Sequence, residues 1–139
     1  MCTEAENDRL LVWITSPLAC KVILKEADRY AKENSLKIVV VSIQSPITDD
    51  WTGKAMELEI LQRSAREIGA ELNVEYSENF LKSAFVIIKR EKPVCMFAGV
   101  PSAGFKSAFL ENICNIGNGI PVYTVDKQGN CARIDELAD

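Results

Sequence analysis

Apolar and polar positions along this chain fall into blocks whose periods separate strands from helices. Leu10-Leu11-Val12-Trp13-Ile14-Thr15 is a continuous apolar run too short for a free-standing helix, and predicts a strand buried on both faces. Ser16 followed by Pro17 is a helix-start signal. Ala19, Val22, Ile23, Ala27, Tyr30 and Ala31 then keep helical spacing, predicting a helix over 18–33 that Asn34-Ser35 ends. A β-branched strand follows over 36–43, centred on Ile38-Val39-Val40-Val41.

Residues 44–53 are polar and turn-rich, and Asp49-Asp50 is placed to start the next helix. That helix spans 52–68, with Met56, Ile60, Leu61, Ala65 and Ile68 as its apolar stripe and Gly69 as its C-terminal cap. Residues 71–76 alternate polar with apolar, which predicts a strand with one solvated face at the edge of the sheet. Ser77 is placed to cap a helix over 78–91 whose apolar residues are Phe80, Leu81, Ala84, Phe85, Ile87 and Ile88. Lys89, Arg90 and Lys92 complement the dipole at its end and read as a solvated terminus.

The stretch 93–126 organises the rest. It combines a strand over 94–98, a glycine-bounded loop from Gly99 to Gly104, a helix over 105–116 and a strand over 120–125. Beyond it, Lys127-Gln128-Gly129-Asn130 reads as a turn, with a short hairpin strand over 131–135 beside the last one. Strands alternating with helices predict an α/β fold, a parallel sheet with right-handed crossovers and helices on both faces. Ligands of such sheets bind at the carboxyl ends of the strands, where the winding reverses. If the first and fourth strands are neighbours, Thr15-Ser16-Pro17 faces the Gly99–Gly104 loop across one crevice.

With 139 residues the chain predicts a single domain, residues 1–8 forming an arm and 127–139 a tail. A 47% hydrophobic and 26% charged composition argues against disorder. A net charge of −4 with no basic run argues against nucleic acid as the partner. No apolar run approaches the roughly 20 residues of a membrane helix, and the acidic start does not read as a secretory signal. A cytoplasmic location is expected.

The 5 cysteines (Cys2, Cys20, Cys95, Cys114, Cys131) are scattered without a C-x-x-C pair, which favours free thiols. Cys20, in the first turns of a helix, is the one whose thiol the dipole would activate. There are 0 histidines, which removes Ser-His-Asp and Cys-His mechanisms and nearly all zinc sites. The carboxylates Asp49, Asp50, Glu57, Glu59, Glu111 and Asp126 make no metal-binding spacing. The chain is therefore not expected to be an enzyme.

A glycine loop entering a helix offers free N–H groups and a positive dipole end to a phosphate, with Ser102, Lys106 and Ser107 as further donors. It departs from a P-loop in carrying Phe105 where glycine should precede the Lys-Ser pair. Two readings stay open: a phosphate cradle, or glycines used for tight turning and close packing. Trp51 likewise is either a lid over the crevice or an indole buried against the sheet.

Taken together, the strand Leu10 to Ile14 with Ser16-Pro17, Ala27-x-x-Tyr30-Ala31, Val39 to Ser42, Gly69-Ala70-Glu71-Leu72 and Gly99…Ser107…Ile120-Pro121-Val122-x-x-Val125 resemble a universal stress protein. The resemblance spans about residues 9–126 and is most similar to the universal-stress-like domain of potassium-sensor histidine kinases. It implies a three-layer α/β/α fold with a five-stranded parallel sheet of order 3-2-1-4-5. It also implies a stress-response role exercised through binding, and a homodimer joined through the fifth strand at Ile120, Val122, Tyr123 and Val125.

One branch of that family binds ATP, using an aspartate after the first strand and a Gly-x2-Gly-x9-Gly-Ser/Thr motif after the fourth. Here Thr15 stands at the aspartate, Gly99 matches the first glycine, Gly104 follows after four residues instead of two, and Lys106-Ser107 stands at the final pair. The resemblance implies ATP or another adenine nucleotide, or a smaller phosphate ligand, at Thr15, Ser16, Val41, Gly99, Ser102, Gly104 and Ser107. Thr15 and Ser16 would donate to ribose or phosphate, Val41 would line a base pocket, and the glycine loop would hold phosphates. The alternative is a ligand-free interaction module acting through its sheet edge and dimer surface.

Overall fold

The computed structural model describes residues 8–14, 20–44, 49–99, 108–117, 119–126 and 128–133. Its strands are β1 (Arg9–Trp13), β2 (Lys37–Gln44), β3 (Glu71–Tyr76), β4 (Cys95–Gly99), β5 (Val122–Val125) and β6 (Cys131–Arg133). Its helices are α1 (Cys20–Asn34), α2 (Trp51–Glu67), α3 (Phe80–Glu91) and α4 (Ala108–Ile116). They build one 6-stranded sheet of order β3-β2-β1-β4-β5-β6, parallel except where β6 runs antiparallel to β5. The expected α/β fold, its 3-2-1-4-5 order and the added hairpin strand are all present.

The apolar runs work as two-sided strands. Leu10, Val12 and Val40 face α1 and α2, while Leu11, Trp13 and Val39 face α3 and α4, and both layers are buried. Between β4, β5 and α1, the rings of Tyr30, Phe97 and Tyr123 meet with centroids 5.3–5.5 Å apart.

Helix boundaries follow capping chemistry. The Asp50 carboxylate accepts the Gly53 N–H at 2.9 Å, so α2 opens at Trp51. Gly69, at φ 71°, takes the left-handed position after α2, and Ala70 N–H reaches back to the Ala65 carbonyl at 2.9 Å. For α3 the expected cap was Ser77, but Asn79 holds that place, its side chain accepting the Lys82 N–H at 3.1 Å. Ser77 instead accepts the Asn79 N–H at 3.0 Å, shaping the turn one step earlier.

Three expected core positions turn outward. Met56 is 61% exposed, because it lies five residues before buried Leu61 and so about 140° round the helix from it. Leu81 and Phe85 are half-exposed, since Ala84, Ile87 and Ile88 supply the buried face of α3.

The expected dimer strand is changed by its neighbour. β6 takes the outer edge of β5, pairing Tyr123 with Arg133, Thr124 with Ala132 and Val125 with Cys131. Val122 and Val125 point into the chain's own two cores. A second copy therefore finds β5 already paired, and among the described residues the outermost strand at this end is β6.

Candidate functional site

The winding reverses between β1 and β4. From β1 the chain steps outward to β2 and β3, and from β4 it steps the other way to β5. β1 and β4 are hydrogen-bonded neighbours, with Trp13 opposite Ala98. The carboxyl ends of these two strands are thus the topological switch point, where open α/β sheets take ligands.

Of the seven candidate ligand residues, Val41 and Gly99 fall among the described ones. Gly99 closes β4 opposite Val125. A Cβ there would stand 3.0 Å from Ile23 Cδ1 of α1, so the backbone approaches the helix closely and leaves little room for a larger residue. Val41 lies opposite Trp13 in β1. Its carbonyl accepts the Ile14 N–H at 2.9 Å, which prolongs the β1–β2 ladder to the crevice rim. Its side chain is packed with Leu11, Trp13 and Val39, buried beneath α3 and α4. Thr15, Ser16, Ser102, Gly104 and Ser107 lie outside the described residues.

A polar group that the sequence reading missed sits at the end of β2. Ser42 is 0% exposed and Gln44 8%, and both share the α1–α2 face with Val40. Gln44 Nε2 donates to Ser42 Oγ at 2.6 Å, and Lys54 Nζ of α2 donates to Gln44 Oε1 at 3.3 Å. The signal was present as two polar residues at i and i+2 closing an otherwise apolar strand, which places both on one buried face. The chain of three brings a partly buried ammonium next to the carboxyl end of the sheet. Trp51, on the first turn of α2, is 58% exposed and so is not buried against the sheet.

Three further titratable groups, Cys95, Tyr30 and Asp126, read as structural. Burial pushes the Cys95 thiol up to about 11, which makes it a poor nucleophile. The hydrogen bond with Tyr123, with burial second, raises the Tyr30 phenol to about 12. Asp126 is held below the usual carboxylate range, chiefly by the Asn130 N–H, in the turn that joins β5 to β6. The Cys20 side chain lies outside the described ones. Among the described residues no three histidine, cysteine, aspartate or glutamate side chains gather as a metal site. No described helix is long and apolar enough to cross a membrane.

No family model matches this chain, and no curated protein matches it in sequence. Solved structures do. A universal stress protein in complex with cAMP superposes with a TM-score of 0.63 at 12% identity, covering 86% of this chain and 97% of that one. The universal stress protein from Archaeoglobus fulgidus in complex with dAMP gives 0.63 at 14% identity, covering 84% and 96%. GalB, the 4-carboxy-2-hydroxymuconate hydratase from Pseudomonas putida KT2440, gives 0.66 at 11% identity, but this chain spans only 65% of it. At such identities the likeness establishes a shared fold: this chain has the α/β fold found in universal stress proteins over nearly their whole length.

Proposed function

We propose that this chain is a universal-stress-like regulatory protein that works by binding an adenine nucleotide or a smaller phosphate ligand, without catalysis. The observation that carries this is the adjacency of β1 and β4 at the switch point, with Gly99 closing β4 against Ile23. Two proteins of the same fold are described as complexes with cAMP and dAMP, which makes adenine nucleotides the first class to test. In this reading Thr15 and Ser16 donate to ribose or phosphate from the end of β1. Gly99, Ser102, Gly104 and Ser107 hold the phosphate, and Val41 supports the base from below. A sensor role, a cytoplasmic location and a homodimer using the β5–β6 end of the sheet complete the proposal.

The test is calorimetric titration and thermal shift of the purified chain with ATP, ADP, AMP and cAMP, with and without magnesium. At about 100 times the dissociation constant a true ligand adds roughly 2.7 kcal/mol, a rise of several degrees in a domain of this size. A shift with one nucleotide and not with its nucleoside identifies phosphate as the recognised group. Absence of any shift or heat sinks the reading.

A further inference from the structure

Among the described residues the outer edge of β3 is an open ladder with a groove beside it. Among the described residues β3 pairs with β2 alone. Ser77 N–H continues that pairing by donating to the Gln44 carbonyl at 2.9 Å. Backbone direction alternates along a strand, so the N–H and C=O groups of Leu72, Val74 and Tyr76 point the other way, off the sheet. A groove of about 680 Å³ lies alongside, walled by Ala65 and Arg66 of α2 and by Leu72 and Val74 of β3. These are the two ingredients of strand addition: backbone groups awaiting partners, and a recess for every second side chain of the incoming segment.

Charge narrows the partner. Glu71 and Glu75, also on β3, are already matched by Lys37 at 3.4 Å and Arg90 at 3.7 Å. Arg66 lines the groove and makes no ion pair among the described residues. We infer that the β3 edge accepts an extended segment of a partner protein as an added strand, its alternate apolar side chains entering the groove and an aspartate or glutamate meeting Arg66. β6, at the opposite edge, has 3 residues against the 6 of β3, a much shorter ladder. The inference is independent of nucleotide binding, since the groove lies on the far side of β2 from β4.

The test is selection of a phage-displayed random peptide library on the purified chain, followed by fluorescence anisotropy with a labelled synthetic peptide of the enriched sequence. Enriched sequences should alternate apolar residues and carry an acidic one. Val74→Pro removes one outward N–H while sparing the β2 ladder, a change edge strands tolerate. It should weaken the peptide at least about fivefold, the worth of one net hydrogen bond. Arg66→Glu, on the exposed surface of the last turn of α2, should weaken it by a similar factor. Thermal melting of both variants checks that they fold. Failure to enrich any peptide, enriched sequences without alternation or acid, or equal binding to wild type and both variants overturns the inference. So does a wild-type dimer that Val74→Pro dissolves, because a second copy then occupies the edge.

Discussion

The Trp13 indole N–H donates to the Met96 sulfur at 3.3 Å, joining β1 to β4 inside the core. These two strands define the switch point, so this contact helps fix the geometry of the candidate crevice. Met96→Leu conserves volume but deletes the acceptor. It should cost about 1–2 kcal/mol, from the lost hydrogen bond and altered packing. Urea unfolding of the variant checks this, and an unchanged midpoint would show that the sulfur serves only as filler.

The Ser42–Gln44–Lys54 chain makes a second prediction. Gln44→Leu removes the acceptor for Lys54 and the donor to Ser42 while keeping the site filled. A buried polar group deprived of its partner costs roughly 1–3 kcal/mol. Lys54→Met, which leaves the Gln44–Ser42 bond intact, should cost less than Gln44→Leu. Chemical denaturation of the two variants decides the order, and the reverse order would place the weight on the ammonium.

The fold was legible because its central strands are buried on both faces, which forces unbroken runs such as Leu10–Ile14 and Ile38–Val41. The 71–76 strand was recognisable as an edge by its alternation, and its position, paired among the described residues with β2 alone, agrees. Helix caps were harder, because Ser77 and Asn79 are both good capping residues two apart and only the three-dimensional turn chooses between them. Met56 misled because a methionine near an apolar stripe reads as core, while its angle about α2 turns it to solvent. The Ser42–Gln44–Lys54 chain was missed because its third member comes from another element, ten residues on. β6 was read as a hairpin strand, but its effect on the β5 edge becomes plain only from the pairing register.

Alkaline pH should loosen the aromatic layer. Cys95 is raised from 9.0 to about 11 and Tyr30 from 10.0 to about 12. A group whose folded value lies above its unfolded one contributes stability that is complete below the unfolded value. That contribution is lost as pH climbs through the folded value. The melting temperature should therefore fall between pH 9 and pH 12, and Cys95→Val should flatten the lower part of that fall. A flat profile across this window in the wild type would contradict the assignment.

Acid acts through Asp126, whose folded value lies below its ordinary 3.8. Here the sign reverses: the contribution is present above the unfolded value and disappears as pH falls through the folded one. The carboxylate accepts N–H groups from Gln128 at 2.9 Å and Asn130 at 2.8 Å, so its protonation should loosen the β5–β6 turn first. The protection of the Gln128 and Asn130 N–H groups, measured as exchange relative to the intrinsic rate at each pH, should fall below about pH 4 in the wild type. In Asp126→Asn that acid-dependent change should vanish.

Gly99 separates packing from binding. Its φ is not in the left-handed region, so the constraint is space alone. The nearest atom to an added methyl is the tip of Ile23, which can shift by a few tenths of an ångström. Gly99→Ala should therefore cost less than about 1 kcal/mol, while Gly99→Phe cannot be accommodated and should cost about 1–3 kcal/mol through overpacking. If Gly99 also lets a phosphate approach the backbone, Gly99→Ala should weaken a nucleotide identified by titration about tenfold or more while the melting temperature barely moves. Equal affinity in Gly99→Ala would assign this glycine to close packing of β4 against α1, and the phosphate site would have to be sought elsewhere along the crevice.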